Sequence, residues 1–211
     1  APALKKLDLS RNAIGSLNVL SGISTLRNLD LSDNAVSTLA PLASLTELTG
    51  LNVAENLLTT ISPISVCTML SELDVSENKL TEIAAVQQMT GLTSFRAEKN
   101  QLTDCSPLSG CTELRTLDIS NNLIPDITML SGLVKMTDFD FSYNQAAALP
   151  DFPDSAALVT VNGSNNLLTT LEQLDKLRGC EIRSSVILSE VDEQVFKRLG
   201  ANLTCEPRFK G

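Results

Sequence analysis

An asparagine recurs every 22 residues through most of the chain, and this spacing limits the possible folds more than any other feature of the sequence. The eight positions are Asn12, Asn34, Asn56, Asn78, Asn100, Asn122, Asn144 and Asn166. A fixed period of this length indicates a repeat array, in which each unit buries its apolar face against its neighbours rather than in one central core.

The apolar residues around each asparagine follow one frame. In the second repeat the frame consists of Leu26, Leu29, Leu31, Asn34, Val36, Leu39, Leu42 and Leu45. Eight such positions in eight repeats make 64 slots, and only Ser155 and Gly163 depart from the pattern when Ala and Cys count as apolar. Apolar residues two apart predict a strand before the asparagine. A spacing of three after it favours 3₁₀ or polyproline geometry.

The segment Leu-x-x-Leu-x-Leu-x-x-Asn resembles the signature of leucine-rich repeats. Its 22-residue length is similar to the subfamily that contains the repeats of the phosphatase-1 regulatory subunit and of the bacterial internalins. This resemblance implies an α/β solenoid in the shape of a right-handed leucine-rich-repeat horseshoe. A parallel β-sheet would line its concave face, and short 3₁₀ or extended segments would form its convex face.

The sequence divides into an array and a C-terminal cap. We expect eight 22-residue repeats over residues 1–179, followed by a degraded ninth repeat and a cap over residues 180–211. Ser189 and Asp192 resemble a capping box, and apolar residues at helical spacing follow them. The pattern therefore predicts a C-terminal capping helix at about residues 190–199.

The composition argues against catalysis. The chain contains no His, which excludes Ser-His-Asp triads, Cys-His pairs and His-ligated zinc. It also shows no Gly-rich phosphate loop, no paired-carboxylate motif and no cluster with metal-ligand spacing. We expect a protein that is not an enzyme, with no catalytic residue, no bound metal and no cofactor.

The net charge indicates the kind of partner. With 16 basic and 25 acidic residues the chain carries a charge of −9, which disfavours nucleic acid and anionic membranes. No apolar run of about 18 residues occurs, so membrane insertion is not expected. The expected partner is a protein with a basic surface, bound by a monomer of this chain.

The cysteines bear on location. Cys67, Cys105 and Cys111 occupy frame slots and are predicted to be small buried side chains, while a Cys180–Cys205 bridge remains an open alternative. Reduced buried thiols favour an intracellular, cytoplasmic location over a secreted one.

The candidate binding residues come from the outward slots of the predicted sheet, which lie six, four and two residues before each asparagine. These 24 slots hold eight acidic and two basic residues. Arg96 and Glu98 depart from the pattern of the other repeats, and Tyr143 is the only tyrosine. The predicted partner-binding residues are Asp8, Asp30, Glu72, Asp74, Arg96, Glu98, Asp118, Asp138, Asp140 and Tyr143. The alternative is that these acidic residues have no binding role and that Arg96 bridges Asp74 and Asp118.

Three functions fit the sequence. The first is a non-catalytic scaffold that binds a partner protein through an acidic concave face, and the phosphatase-1 regulatory subunit resemblance implies this mode for the column of Asp8, Asp30, Asp74, Asp118 and Asp140. The second is a secreted or surface adhesion module of internalin type. The third is the recognition domain of a larger multidomain protein.

Overall fold

Nine short strands form one parallel sheet in a computed structural model, which describes residues 3–153, 156–168 and 181–183, the last three by their backbone alone. The strands pair in chain order, each with the next. They are β1 Lys6–Asp8, β2 Asn28–Asp30, β3 Gly50–Asn52, β4 Glu72–Asp74, β5 Ser94–Arg96, β6 Thr116–Asp118, β7 Asp138–Asp140, β8 Thr160–Asn162 and β9 Glu181–Arg183. The predicted solenoid is confirmed. The predicted capping helix at about residues 190–199 lies outside the described residues.

Short 3₁₀ helices connect most of the strands, as the spacing of three predicts. They span Asn18–Leu20, Ala40–Leu42, Ser62–Ile64, Ala84–Gln88, Ser106–Gly110 and Thr128–Gly132. The side chain four residues after the asparagine often accepts the first N–H of the helix, as when Asp104 Oδ1 accepts the Ser106 N–H at 2.8 Å. Within the described part of the chain, none of the helices has the length and hydrophobicity needed to cross a lipid bilayer.

The repeated asparagines join consecutive repeats through their side chains. Asn78 Nδ2 donates to the carbonyl oxygens of Val53 at 2.9 Å, Val75 at 3.1 Å and Ser76 at 3.0 Å. Its Oδ1 accepts the N–H of Leu58 at 2.9 Å. The same four bonds recur at every repeat from Asn34 to Asn166. Each amide therefore satisfies backbone groups of its own repeat and of the one before it.

The residue before each asparagine adopts a left-handed backbone. Its φ lies between 50° and 57° in all eight repeats, although none of these residues is glycine. They are Arg11, Asp33, Glu55, Glu77, Lys99, Asn121, Tyr143 and Asn165. This conformation costs an L-residue about 1–2 kcal/mol. The asparagine bonds on either side of the turn oppose that cost.

The core is a continuous aliphatic stack between the sheet and the 3₁₀ segments. Leu31, Val53 and Val75 are examples of frame residues with no exposed surface. Cys105 and Cys111 are buried free thiols, as Cys67 also is. Burial raises the pKa of Cys105 to about 12 and that of Cys111 to about 11, so these thiols stay protonated and unreactive at neutral pH.

Gly163 departs from the apolar frame because Phe141 of the preceding repeat occupies the space that a side chain would need. Phe141 packs against Phe139 with the ring centroids 4.8 Å apart, and the end of the Phe141 ring occupies the space where a side chain at Gly163 would begin. A Cβ there would overlap Phe141 Cζ. The missing side chain and the large ring are therefore one packing solution across two repeats.

The last described strand pairing differs from the strict period. Val161 of β8 lies in register with Ile182 of β9, whereas a step of 22 residues would place it opposite Arg183. The repeat is one residue shorter at this point.

Cys180 and Cys205 lie outside the described residues.

We predict that Asn100→Ala lowers the free energy of unfolding by about 2–5 kcal/mol, because it leaves buried backbone groups without partners. The matched control is Asn12→Ala, since Asn12 is exposed and bonds only the carbonyl oxygens of its own repeat, those of Leu9 and Ser10. Chemical denaturation followed by circular dichroism measures both. Equal losses would contradict a role for the bonds between repeats.

We also predict that Gly163→Val destabilises the chain by about 1–3 kcal/mol through overpacking against the Phe141 ring. Adding Phe141→Leu should recover part of that loss, a coupling that a double-mutant cycle measures. The control is Gly132→Ala, where an added Cβ meets nothing within 4 Å. Additive effects of the two core substitutions would show that the ring does not occupy this space.

Candidate functional site

The strand register brings the predicted site residues into adjacent columns. Asp8 pairs with Asp30 across β1 and β2, and Arg96 of β5 lies between Asp74 of β4 and Asp118 of β6. The full column is Asp8, Asp30, Asn52, Asp74, Arg96, Asp118, Asp140 and Asn162. Neighbouring strands lie about 4.7–4.9 Å apart. Like charges therefore stand side by side at Asp8 and Asp30 and at Asp118 and Asp140.

The other predicted residues flank that column. Glu72 and Asp138 begin β4 and β7, two residues before Asp74 and Asp140, so each pair projects from the same face of its strand. Glu98 lies two residues beyond the end of β5. We call the outward slots six, four and two residues before each asparagine the acidic face.

Serines two residues after the aspartates fix the orientation of the carboxylates. Asp118 Oδ1 accepts both the N–H of Ser120 at 3.0 Å and its hydroxyl at 2.7 Å. The same pair of bonds joins Ser10 to Asp8, Ser32 to Asp30 and Ser142 to Asp140. One oxygen of each carboxylate is thus held by the turn that follows the strand.

The second carboxylate oxygen is free at three of these positions. Among the described residues, Asp8, Asp74 and Asp118 have no hydrogen-bond partner at Oδ2. At Asp30 and Asp140 the Oδ2 atom accepts an amide N–H from the asparagine of the next strand. The free oxygens are preoriented acceptors that a cationic group can bind without reorganising the carboxylate.

Arg96 makes no ion pair within 4 Å in the described part of the chain. The alternative in which it bridges Asp74 and Asp118 is therefore not observed. The ion pairs of the described residues are Arg27–Glu47 at 2.8 Å, Lys99–Glu77 at 2.7 Å and Lys135–Glu113 at 2.6 Å, none of which uses an outward slot of the acidic face. None of the eight acidic residues of this face has a basic partner within 4 Å among the described residues.

Burial and neighbouring charges shift the pKa values of two carboxyl groups on this face. Burial, together with the charge of Asp140, raises the pKa of Asp118 above its usual value despite the two Ser120 bonds that lower it. Burial, followed by the charge of Asp118, also raises the pKa of Glu98. At exposed Asp8 the Ser10 backbone and side-chain bonds dominate, and they lower its pKa. The centre of the face is therefore the place where added negative charge is least favourable.

The acidic face has a cavity on each side of Arg96. A cavity of about 400 Å³ extends over β1–β5 and a second of about 330 Å³ over β5–β8, and Arg96 lines both. A third, of about 350 Å³, lies at the strand ends and is lined by Asp74, Ser76, Arg96, Glu98, Asp118 and neighbouring residues. Arg96 is the residue that all three share.

Ser76 differs from the other serines of its column. Its N–H donates to Asp74 Oδ1 at 3.0 Å, but its hydroxyl does not. The residue is 5% exposed, and its Oγ is the one buried side-chain polar atom without a partner among the described residues. Buried hydroxyls normally have a partner, so Ser76 is the serine of this column whose hydroxyl has an unused hydrogen-bonding capacity.

Tyr143 is the one predicted binding residue that does not occupy an outward slot of the acidic face. It follows β7 in the left-handed turn with a φ of 53° and is 56% exposed. The cavity lined by Asp138 and Asp140 is not lined by Tyr143. Asp138 and Asp140 are thus a carboxylate pair on β7, and Tyr143 lies in the turn that follows this strand.

The serines two residues before the asparagines are a part of the site that the sequence analysis does not predict. Their recurrence two residues after the aspartates was the available signal, because a short hydroxyl side chain at that distance can bond back to a carboxylate.

Within the described ranges, no group of three His, Cys, Asp or Glu side chains has an arrangement that fits a metal ion.

Comparison with known families gives three matches. A profile described as leucine-rich repeats in two copies matches residues 24–66 and 90–134, and a second leucine-rich-repeat profile matches residues 2–17. A third, described as the C-terminal part of the domain of unknown function DUF1846, matches residues 156–211. This last match overlaps the segment that the sequence analysis assigned to a degraded ninth repeat and cap.

A curated relative matches over a short stretch. It is a UPF0371 protein of Clostridium tetani, 46% identical over 39 residues, which are 18% of this chain. The chain spans only 8% of the length of that relative.

Several solved structures share the fold. An internalin, inlF, of Listeria monocytogenes has a TM-score of 0.79 at 22% identity, covering 97% of this chain and 66% of its own. Internalin C2 of the same species has a TM-score of 0.79 at 25% identity, with coverage of 85% and 80%. A plant peptide hormone receptor in complex with RGF2 has a TM-score of 0.78 at 24% identity, with coverage of 92% and 34%.

We predict opposite pH effects for two Asp→Asn substitutions on this face. Since folding raises the pKa of Asp118, its charged form disfavours the folded state, and Asp118→Asn should be more stable than the native chain at pH 7. The pKa of Asp8 is lowered, so Asp8→Asn should be less stable at pH 7. Both differences should narrow as the pH falls through the pKa of each group.

Thermal unfolding between pH 7 and about pH 3 measures these differences, a range that spans the usual aspartate pKa. Asn52 and Asn162 occupy the same column and accept the same backbone N–H bonds, so the amide is compatible with the site. A change in thermal stability of the same sign in both variants would contradict the causes given for the two pKa shifts.

Proposed function

This chain belongs to the leucine-rich-repeat family, and from that premise we propose that it is a non-catalytic scaffold whose acidic face binds the basic surface of a partner protein. The observation that carries the proposal is the set of unpaired carboxylates on this face. Three lysine or arginine side chains neutralise acidic residues elsewhere on the molecule. On the acidic face the one central cation, Arg96, makes no such pair within the described residues.

Energetics favour a cationic partner over an empty face. Each exposed pair of like charges on adjacent strands costs about 0.2–1 kcal/mol. A partner's lysine or arginine side chains relieve that repulsion and meet the free oxygens of Asp74 and Asp118. Long-range attraction also speeds the encounter and makes binding sensitive to salt.

The proposal includes an intracellular location and a monomeric chain. The buried free thiols of Cys67, Cys105 and Cys111 support the location, because such side chains are typical of reducing compartments. Nucleic acid is not a proposed partner, since the chain carries a net charge of −9.

A second candidate is an adhesion module of internalin type, outside the cytoplasm. It is favoured by the similarity to internalin C2 and by the 3₁₀ segments Ser62–Ile64 and Ser106–Gly110, each with a proline near its start. A third is the recognition domain of a larger protein, which the family match over residues 156–211 supports. Fractionation of the source cells with an antibody to this chain separates the first two, and the mass of the detected band addresses the third.

The proposal predicts that Asp74→Asn/Asp118→Asn/Asp140→Asn loses its partner. The immobilised chain is used for affinity capture from a lysate of the source cells, and bound proteins are identified by mass spectrometry. We expect the native chain to enrich a basic protein, and the triple variant to retain roughly a tenth of it or less at physiological salt.

The control removes the same number of charges from the other side of the repeats. Glu82, Asp104 and Asp126 cap 3₁₀ helices away from the acidic face, and Gln or Asn at these positions still offers an oxygen to the helix N–H. This control should capture like the native chain. Equal losses in both variants would mean that net charge alone governs capture, and undiminished capture by the first would reject the acidic face as the site.

A further inference from the structure

We propose that the acidic face receives an α-helix lying across β4–β7, with basic, acidic, basic and basic side chains at successive turns, and that Arg96 sets its register. This inference rests on the proposed function and goes beyond it by assigning the partner's shape and charge order. An acidic side chain of the helix would lie opposite Arg96, between lysines or arginines that face the neighbouring strands.

The charges differ from strand to strand across β4–β7. This difference can favour one alignment of a bound helix over the others. β4 presents two carboxylates, β5 one guanidinium, β6 one carboxylate and β7 two carboxylates. The residues are Glu72 and Asp74, then Arg96, then Asp118, then Asp138 and Asp140. A partner with only basic side chains would place a cation against Arg96, which repels it. A partner whose side chain opposite β5 is acidic would avoid that repulsion.

The spacing of the strands favours a helix over an extended segment. Adjacent strands lie about 4.7–4.9 Å apart, and one helical turn rises about 5.4 Å. A helix lying across the sheet therefore offers about one side chain per turn to each strand. In an extended segment, side chains on one face are roughly 6.6–6.8 Å apart, which loses register after a single strand.

The position of Arg96 supports its role as the reference point. Its side chain is exposed, has no ion-pair partner within 4 Å among the described residues, and lines the cavities on both sides of β5. An unpaired cation between carboxylate columns is a specific recognition element, because it penalises a basic group and favours an acidic one at a single place.

The orphaned hydroxyl of Ser76 is a second, independent observation at the same place. It lines the cavity at the strand ends together with Asp74, Arg96 and Asp118. Its Oγ is buried and has no partner, unlike the hydroxyls of Ser32, Ser120 and Ser142. A polar side chain entering from a helix on β4–β6 would supply the missing bond after a χ1 rotation that turns the buried Oγ toward the cavity.

Two synthetic helical peptides test the register. Both are alanine-rich and carry three lysines and one glutamate at spacings of four, three and four residues, which places all four on one helix face. The matched peptide has the order Lys, Glu, Lys, Lys, and the control has Glu, Lys, Lys, Lys. Their composition and net charge are identical, so long-range attraction is the same for both.

Fluorescence anisotropy with the full chain measures the two affinities at low and physiological salt. We expect the matched peptide to bind about threefold to tenfold more tightly than the control, because its glutamate meets Arg96 rather than a carboxylate. In Arg96→Gln, which removes the charge at an exposed position, the preference should shrink, because the glutamate of the matched peptide loses its favourable contact while that of the control still meets the carboxylates of β4. A third peptide with four lysines should gain relative to the matched peptide in this variant.

Equal affinity of the two peptides for the native chain would overturn the register. If that binding were still lost in the variant lacking the Asp74, Asp118 and Asp140 charges, the acidic face would remain the site. Failure of both peptides to bind at about 20 mM salt, where screening is weak, would overturn the helical partner. The capture experiment would then decide the acidic face separately. A preference that is undiminished in Arg96→Gln would show that another residue sets the order.

Discussion

The side-chain ladder of asparagines is the interaction on which the rest of this structure depends. Each amide bonds two carbonyl oxygens of its own turn, one carbonyl oxygen of the preceding repeat and one N–H of that repeat, as Asn100 does with Ala97, Glu98, Val75 and Leu80. A parallel array of three-residue strands has few bonds per strand. The ladder supplies further bonds between repeats and fixes their spacing at one strand per asparagine.

The ladder also shapes the surface that binds. It closes the turn in which the preceding residue takes a left-handed conformation, such as Asn121 with a φ of 53°. The same turn brings Ser120 back onto Asp118, which holds one carboxylate oxygen and leaves the other free. The orientation of the acidic groups on the sheet is therefore a consequence of the buried amides behind it.

The electrostatic character of the face follows from this arrangement. Equivalent positions in successive repeats become spatial neighbours, so a chemical preference repeated along the chain turns into a column of mostly acidic residues, with Asn52 and Asn162 as its neutral members. Arg96 interrupts that column between Asp74 and Asp118 without pairing to either within 4 Å. A column of equal charges attracts any basic protein, whereas an interrupted one distinguishes among basic proteins by the order of their charges.

The sequence by itself determined the repeat, the frame and the columns. The step between Asn34 and Asn56 fixes which residues share a strand position, and alternation along Leu29, Asp30 and Leu31 fixes which side of the sheet each side chain faces. These properties are local and periodic, so they can be read from the chain alone. Nine of the ten candidate residues could be chosen for the same reason, because their slots recur, whereas Tyr143 was chosen as the only tyrosine.

Only the tertiary structure decided which groups bond across repeats and which remain free. The sequence allowed Arg96 to bridge its neighbours, but its side chain stays unpaired, and Ser76 does not make the hydroxyl bond of its counterparts. In the sequence, Gly163 is only a position that departs from the apolar frame. The structure shows that the ring of Phe141 occupies the space of the missing side chain. Such outcomes depend on rotamers and on packing between residues about 22 positions apart. A period in the sequence sets the neighbours of a side chain but not the contacts that it makes.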